Sequence, residues 1–595
     1  MVVAQDILLF SWAYALLFVV LTSTSILGYA CLAKRLFTPL SFGPCFAVGL
    51  GLLTSLMLLT GVLGLFISSV QTLIVVVGLV LFWRYRRTLP RLPTLSRADW
   101  LWLIWPLLYF TSRFFACGVP QQHSDALYYH LLGPKLWVEA GRVALTAAHP
   151  SLSQATLFET LYALPQLWLG TIGLKSHVIT QLYGQWMHMI WGQIASLVAG
   201  VFLLRRLTPG TGLGLSVFAA WICTSQPAFE WLGCLAKNDY IMMMFILFAT
   251  LAALEKHWLA AGVLVGFAFS TKFLAAWFAI ALLVLIPPRF WIHYLAAALV
   301  GFIPLLLRNV VSAGNPLFPM FDNVIGPHWI SSWWNDHNQS FGGAVRFDAA
   351  MLGWLWTRAL EKALPKIILA LGVLAVAWQW FRLRKAPQWR WALFLFIQLA
   401  LGLLMLRPLA DGRYLNYVCA LMALGAMAAV LRLRLLNLKL ARLSAPLILA
   451  LGILLNTPVD TIWKIPRDYL FSPADKYVAG FHPVYDAQTW VHENVDSKDQ
   501  VLWLAEKQHF YLDRPFETVV EMKKWQLLLT PLQTFEELAR VAREQGYRYV
   551  HFSPHAGPFP SPLRPFWDKI LALSGKAVFR SPTSLIFDLK SLGSE

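Results

Sequence analysis

The chain has 595 residues, of which 58% are hydrophobic and 13% charged, and its mean hydropathy is +0.59. Soluble domains are roughly 45–50% apolar and about 25% charged, so this composition excludes a soluble globular protein and indicates an integral membrane protein. The net charge of +18 does not indicate nucleic-acid binding, because many of the Lys and Arg residues fall in short loops between apolar segments. That distribution is the positive-inside pattern of membrane proteins.

Apolar segments long enough to cross a bilayer recur between residues 7 and 457. They predict a polytopic α-helical membrane protein with about 11–14 transmembrane helices. Region 258–307 could hold two or three spans, and Pro287-Pro288 predicts a break within it. The candidate spans are 7–32, 40–59, 61–83, 99–116, 177–204, 211–229, 239–255, 258–271, 273–288, 289–307, 364–382, 389–406, 413–431 and 443–457.

The basic loops of this arrangement all fall on one side of the membrane, which is predicted to be the cytoplasmic side. The tail after about residue 456 then faces outward, as do loops 117–176, 230–238, 308–363 and 407–412. The N-terminus lacks the basic start and the cleavage site of a signal peptide, so the first span is predicted to be retained. The six cysteines form no CxxC pair and are expected to be small core side chains; a pairing of Cys117 with Cys234 stays open.

The outer loop 117–176 is predicted to contain two helices. Ser124 can cap a helix that continues to a stop at Gly141, and the stretch Ser153–Leu169 has leucines near helical spacing. Both helices are expected to lie along the outer membrane face.

Residues 458–595 are predicted to form a small α/β domain outside the membrane. Charged residues become more frequent after residue 475, and helical and strand patterns alternate. The tail has no GxGxxG or GxxxxGK motif, so no nucleotide site is predicted there. The expected elements are a helix at Tyr485–Glu493, a strand at Gln500–Leu504, a helix at Thr534–Gln545, a strand at Tyr547–Phe552, and a hairpin of Ala577–Phe579 with Leu585–Leu589.

Asp125 lies just beyond the apolar run Trp100–Phe115, where an ionisable cluster is costly to place and indicates function. In a partly dry cleft its carboxylate could act as a general base, since burial raises a carboxyl pKa toward the working pH. The alternative is that Asp125 only caps a helix beside Ser124. The residues that could line a substrate are the neighbouring His123, Tyr128, Tyr129 and His130, together with Lys237.

Asp239 is a second carboxylate on the predicted outer side, at the start of a span. With Asp125 it could share a divalent cation, or divide the roles of base and orienting group. The alternatives are an acid that complements a helix dipole and, for the neighbouring Lys237, a lysine that reaches up to the membrane interface.

Three cations also lie at outer span ends, against the positive-inside trend: Lys272, Arg308 and Arg413. An anionic lipid phosphate would need such groups, and arginine offers a two-pronged contact. Each of them alone could instead be an interfacial side chain or part of a local ion pair.

Four segments in this order resemble the GT-C superfamily of membrane glycosyltransferases, in particular the bacterial relatives of protein O-mannosyltransferases and the lipid A aminoarabinose transferase. Many relatives have Asp-Glu where this chain has Asp125-Ala126, so a second carboxylate or metal role at Ala126 is not implied. The segments are Ser124–Leu131 with Pro134-Lys135 and Glu139–Arg142, Asp239, Gly266–Lys272, and Arg308-Asn309 with Gly314–Pro319.

The resemblance implies a multi-pass protein of the bacterial inner membrane that transfers a sugar, with inversion, from a polyprenyl-phosphate-linked donor to a hydroxyl of a lipid, glycan or protein acceptor outside the cytoplasm. It implies that Asp125 is the base, that Asp239 is the second acid, and that Lys272, Arg308 and Arg413 hold the leaving phosphate. The implied layout is additional helices in 1–98, a catalytic domain in 99–457 with outer loops 117–176 and 308–363, and the α/β domain in 458–595. A transporter or flippase of lipid-linked or anionic substrates is the alternative.

Overall fold

The computed structural model is a bundle of α-helices that carries a small α/β domain near its C-terminus. It describes residues 8–37, 39–90, 94–120, 125–154, 156–225, 230–330, 332, 389–409, 416–432, 478, 482, 484–504, 509–513, 516–519, 522–532, 534–553 and 564–593. The predicted spans 364–382 and 443–457 therefore lie outside the described residues.

The helices of the bundle follow the predicted apolar segments closely. Near Pro287-Pro288 the chain breaks as expected, with one helix ending at Leu282 and the next beginning at Trp291. The described helices are α1 (Leu8–Leu36), α2 (Phe42–Val62), α3 (Ser68–Tyr85), α4 (Arg97–Cys117), α5 (Leu132–Ala140), α6 (Leu164–Thr171), α7 (His177–His188), α8 (Ala195–Leu207), α9 (Leu213–Thr224), α10 (Asp239–Leu254), α11 (Trp258–Thr271), α12 (Ala275–Leu282), α13 (Trp291–Ala313), α14 (Trp389–Leu409) and α15 (Asn416–Arg432).

Five helical stretches within the described residues are long and apolar enough to cross a membrane: Leu8–Leu36, Phe42–Val62, Ser68–Thr88, His177–Leu207 and Pro288–Ala313. The fourth joins α7 and α8 through a π-helical turn at Met189–Ile194. Five shorter apolar helices, which include α10 and α11, have 10–17 residues. The polytopic helical fold is confirmed, and the count of 11–14 spans stays a prediction.

The first three helices pack into the bundle. Helix α1 packs against α2, α3 and α7, and α2 packs against α10, α11 and α13, so residues 8–85 share the main hydrophobic core. Helices α11 and α13 cross at close range, where a Cβ atom on Gly266 would lie 2.1 Å from the carbonyl oxygen of Ala298. Only glycine permits that approach of the two backbones.

The C-terminal domain is a mixed five-stranded sheet with helices. The strands are β1 (Gln500–Trp503), β2 (Phe516–Thr518), β3 (Tyr547–Phe552), β4 (Phe579–Arg580) and β5 (Leu585–Asp588). Their order is β2-β1-β3-β5-β4; β1 runs parallel to β2 and β3, while β5 runs antiparallel to β3 and β4. The predicted α/β domain and its closing hairpin are confirmed.

The helices of this domain were predicted only in part. Helix Phe535–Glu544 begins with a capping box in which Thr534 and Glu537 exchange hydrogen bonds, and helix Tyr485–Asn494 also lies where it was expected. Strand β2 and two helices, Lys523–Leu529 and Arg564–Ala572, were not predicted.

The two helices of loop 117–176 are buried within the protein, and their position along the outer membrane face stays a prediction. The first is a π-helical turn at Ala126–His130 followed by α5, which ends at Gly141 in the left-handed conformation as predicted, but residues 126–135 are buried. The second consists of a 3-10 helix at Phe158–Ala163 and α6, and its first part is also fully buried. Both are covered because helices of the bundle and the C-terminal domain pack over them.

All six cysteines are buried thiols, in agreement with their expected role as core side chains. Cys117 and Cys234 lie together beside Arg113, whose Nη1 atom donates to the sulfur of Cys234 at 3.6 Å. The structure does not join them in a disulfide.

Candidate functional site

Asp125 forms an ion pair across the chain with Lys237, at 2.8 Å between Oδ2 and Nζ. Asp125 itself has helical dihedral angles, and its side chain makes no capping hydrogen bond to its helix. The capping alternative is therefore wrong. The ammonium of Lys237 is 1% exposed, so this lysine does not reach up to an interface, whereas the carboxylate of Asp125 is 21% exposed and remains reachable.

Asp239 forms a second ion pair, at 2.5 Å between its Oδ1 atom and Nζ of Lys272. Asp239 is the first residue of α10, and Lys272 directly follows the last residue of α11, so the pair lies where these neighbouring helices meet. Asp239 is 2% exposed and Lys272 is 19% exposed. The carboxylate is thus a buried ion-pair partner and more than a dipole-complementing surface acid.

A third carboxylate, that of Glu159, lies between these two pairs and is fully buried. Its Oε1 atom accepts hydrogen bonds from His130 Nδ1 at 2.6 Å and from Asn238 Nδ2 at 2.8 Å. Its Oε2 atom accepts from the backbone N–H of Thr156 at 2.9 Å and from the hydroxyl of Thr156 at 3.1 Å. Four donors therefore satisfy one buried carboxylate.

Glu159 ties together the three segments that carry the ion pairs. Asn238 separates Lys237 from Asp239, and its amide also donates to the carbonyl of Thr271, the residue before Lys272, at 3.0 Å. The single proton of the Thr156 hydroxyl is shared between Glu159 Oε2 and the same carbonyl, which lies 2.7 Å from the hydroxyl oxygen. The position of each ion pair thus depends on one hydrogen-bonded network centred on Glu159.

Glu159 was missed as a site residue in the sequence, although a signal was present. Among residues 143–174 it is the only Asp, Glu, Lys or Arg. A single charge in such a run is expensive to bury and therefore indicates a polar partner or a function.

His130 contributes a neutral imidazole to this network. Burial lowers its pKa, and the hydrogen bond and charge of Glu159 oppose this effect only in part. Nδ1 is the donor, because Glu159 can only accept there. The other nitrogen, Nε2, is buried and meets no hydrogen-bond partner among the described residues.

Arg308 is fully buried within the protein, so the alternative of an interfacial side chain is wrong, and its role in holding a phosphate stays a prediction. Its guanidinium is fully buried, donates to Ser153 O at 3.3 Å, and contacts Oδ1 of Asn309 through Nε and Nη2. Asn309 in turn donates to the carbonyls of Pro316 and Phe318, which fixes the turn after α13. Glu159 is the acid whose charge acts on Arg308, so this cation belongs to the same electrostatic neighbourhood.

Tyr128 and Tyr129 are held in an apolar cluster with the C-terminal domain. The cluster includes Trp503 and Phe516 of the sheet. The two rings share one helix with Asp125, as expected from their spacing, and their role as substrate-lining residues stays a prediction.

Lys135 fastens the same helix to the C-terminal domain. Its buried ammonium donates to the carbonyls of Phe510 at 3.0 Å and Leu512 at 2.6 Å, and it lies 2.8 Å from Oδ1 of Asp513. Nε2 of His177 reaches the same carboxylate oxygen at 3.1 Å. The helix that carries Asp125 is therefore held on one side by the bundle and on the other by residues 510–513.

Two predicted site residues, His123 and Arg413, lie outside the described residues. Within the described part of the chain, no group of three or more His, Cys, Asp or Glu side chains is placed to hold a metal ion. Asp125 and Asp239 each pair with their own lysine, and a divalent cation stays a prediction.

Comparisons with known proteins find similar solved structures only at low sequence identity. No protein-family model matches the chain, and no curated protein does. The crystal structure of ArnT from Cupriavidus metallidurans bound to undecaprenyl phosphate is 13% identical, with 83% of this chain and 98% of that chain covered and a TM-score of 0.48. Its apo form is 12% identical, with 84% and 100% covered and a TM-score of 0.49.

The oligosaccharyltransferase of Archaeoglobus fulgidus in complex with zinc and sulfate is 13% identical, with 67% of this chain and 59% of that chain covered and a TM-score of 0.45. These similarities concern the course of the chain and assign a role to no residue.

Proposed function

We propose that this protein is a membrane glycosyltransferase that moves a sugar from a polyprenyl-phosphate-linked donor to an acceptor hydroxyl, with inversion, on the extracytoplasmic side of the bacterial inner membrane. The observation that carries the proposal is the pair of carboxylate–ammonium contacts, Asp125–Lys237 and Asp239–Lys272, joined through Glu159 at one end of an apolar helix bundle. An acceptor would be a lipid, a glycan or a protein.

The geometry supports a direct displacement at the sugar. Such a reaction needs a base for the attacking hydroxyl, a fixed line of attack, and positive charge where the phosphate leaves. Asp125 is the base: its carboxylate lies 2.8 Å from the ammonium of Lys237, and its partial exposure leaves it open to the acceptor. Lys272, also partly exposed, meets the leaving phosphate, and Asp239 holds its ammonium in place.

Further groups complete the proposed site. Arg308, on which the charge of Glu159 acts, adds buried positive charge, and Arg413 is proposed to join it from outside the described residues. The Nε2 atom of His130, which meets no partner among the described residues, offers an acceptor for a substrate hydroxyl. Tyr128, Tyr129 and His123 are proposed to border the bound sugar.

The position of the charges favours transfer over transport. A transporter places its ionisable residues near the middle of the bilayer, often at broken helices. Here Asp239 opens α10 and Lys272 follows the end of α11, so both belong to one end of the bundle. A lipid-linked donor would present its phosphate at the membrane surface, near such an end of the bundle.

The test is the substitution Asp125→Asn in the full chain, reconstituted into vesicles with polyprenyl-phosphate sugars. Release of polyprenyl phosphate, measured by mass spectrometry, reports turnover whichever acceptor is used. Asparagine keeps an oxygen for Lys237, so we expect a folded protein with turnover reduced by at least about 100-fold, the size of a general-base contribution.

Glu255→Gln is the matched control, because Glu255 lies at the other end of α10 and, among the described residues, accepts one long hydrogen bond, from the Ser41 N–H at 3.3 Å. It is expected to keep full turnover. Normal turnover in Asp125→Asn would remove Asp125 as the base. Polyprenyl phosphate that co-purifies with the wild-type protein would support the donor class, and transport of the intact donor without cleavage would favour the flippase instead.

A further inference from the structure

A cavity of about 630 Å³ opens at the end of the helix bundle opposite to the ion pairs. Helix α10 begins at Asp239 in the candidate site and ends at Leu254, which lines this cavity. Its 16 residues span about 24 Å at 1.5 Å per residue. The cavity therefore lies on the side of the membrane that the basic loops predict to be cytoplasmic.

Four cations converge on this cavity from four separate places in the chain. Arg206 comes from the end of α8, Lys256 from the turn between α10 and α11, Arg289 from the turn before α13, and Arg390 from the start of α14. The other lining residues that the structure describes are all apolar.

None of these four cations forms an ion pair with a carboxylate in the described part of the chain. Arg206 donates to the carbonyl of Leu254 at 3.3 Å, and the guanidinium of Arg289 lies 4.9 Å from the ring centre of Phe290. Like charges held around one opening repel each other and create a positive potential there. An anion in the cavity would neutralise that potential.

The surroundings of the cavity favour a lipid over a water-soluble anion. Trp258 and Phe290 line it with their ring centres 5.9 Å apart, and aromatic side chains are common at a membrane interface. Beside them, Leu259 and Ile292 expose their side chains to 53% and 80%. A phosphate among the cations would thus have acyl chains next to exposed apolar side chains.

We propose that this cavity binds the headgroup of an anionic phospholipid of the cytoplasmic leaflet, with its phosphate among Arg206, Lys256, Arg289 and Arg390. The bound lipid joins the ends of α8, α10, α13 and α14. The proposal does not depend on sugar transfer, since the cavity and the ion pairs lie at opposite ends of α10. Basic pockets between helices on the cytoplasmic side are suited to such headgroups.

The test compares lipid binding by the full-length protein and by Arg206→Gln/Arg289→Gln. Native mass spectrometry of the detergent-purified protein, titrated with phosphatidylglycerol or phosphatidylcholine, gives a Kd for each lipid. The wild type is expected to bind phosphatidylglycerol more tightly. The loss of two charges is expected to weaken that binding by about 30-fold and to leave phosphatidylcholine unaffected.

Two further variants keep the experiment decisive. Arg84→Gln/Arg87→Gln removes two exposed charges of the same predicted side away from the cavity, and it is expected to bind as the wild type does. Lys256→Gln/Arg390→Gln repeats the loss through the other two cations if the first double variant does not fold.

Equal phosphatidylglycerol binding by the wild type and by either folded cavity variant would overturn the proposal. So would an equal loss in the Arg84/Arg87 control, since general surface charge would then explain the binding. Glycerol phosphate that competes as well as a short-chain phosphatidylglycerol would also overturn it, in favour of a site for a water-soluble anion.

Discussion

Glu159→Gln tests whether one buried carboxylate organises the candidate site. Glutamine has nearly the same shape and keeps one acceptor oxygen, but it places an NH₂ donor where the second oxygen was. Two of the four donors that meet Glu159 in the native structure then face another donor. The substitution removes hydrogen bonds without creating a cavity.

The expected cost follows from these contacts. A hydrogen bond to a charged group contributes about 1.5–3 kcal/mol, so the loss of two lowers the free energy of unfolding by roughly 3–6 kcal/mol. Because Glu159 also fixes the segments that carry both ion pairs, their relative positions shift. A misplacement of about 1 Å can reduce a reaction rate by roughly 100-fold, and we expect a loss of that order in sugar-transfer turnover.

Chemical unfolding of the full chain in detergent, followed by tryptophan fluorescence, measures the stability change against the control Glu255→Gln. The double variant Glu159→Gln/Asn238→Ala measures how far the stability contributions of the two residues depend on each other. Asn238 donates to Glu159, so the two substitutions are expected to cost at least about 1 kcal/mol less together than the sum of their separate costs.

Two results would refute this reasoning. One is a stability of Glu159→Gln within about 0.5 kcal/mol of the control, which is the size of an ordinary surface substitution. The other is simple additivity with Asn238→Ala, which would mean that the network does not act as a unit. Retained stability with lost turnover would instead assign Glu159 a direct role in the reaction.

The remaining predictions concern the domain contact and the helix crossing. Burial would raise the pKa of Asp513, but the hydrogen bonds and charges of His177 and Lys135 hold that pKa far below its ordinary value. The stability from this contact is therefore present above about pH 4 and is lost as the pH falls further. Asp513→Asn should remove the acid-dependent part of the unfolding free energy. At pH 7 it should lower the free energy of unfolding by about 3–5 kcal/mol, because Lys135 stays buried without its carboxylate. A dependence of stability on acid pH equal to that of the wild type would contradict this. Gly266→Ala should lower the melting temperature, because the new Cβ would overlap the backbone of α13. The control Gly575→Ala should not, because a Cβ there would meet no atom within 4 Å. Equal melting temperatures of the two variants would contradict this.

Much of the fold could be predicted because its signals are local. Apolar length located the helices, and the pattern Thr534–Gln545 located the strongest helix of the C-terminal domain. Strand β2 was missed, since it has three residues and, among the described strands, pairs only with β1, which precedes it by more than ten positions. The burial of the loop helices could not be predicted, because an amphipathic pattern shows that one face is covered but does not show what covers it.

The candidate site could also be predicted only in part. Asp125, Asp239 and Lys272 were predicted on one side because each is a charge at the end of an apolar segment, and the structure brings them to one end of the bundle. Their pairing could not be predicted, since Lys237 joins Asp125 across 112 positions of the chain. Glu159 was overlooked because its run of leucines indicated a surface helix.

The contact of Lys135 with Phe510 has a consequence for biosynthesis. Its two partners are 375 positions apart in the chain. At a synthesis rate of about 5–20 residues per second, roughly 20–75 s pass between them. During that time the helix of Asp125 lacks its contact with residues 510–513, and the ammonium of Lys135 stays hydrated. The site is therefore completed only after residues 510–513 have emerged, so a chain that ends before them inserts its early helices without a finished site.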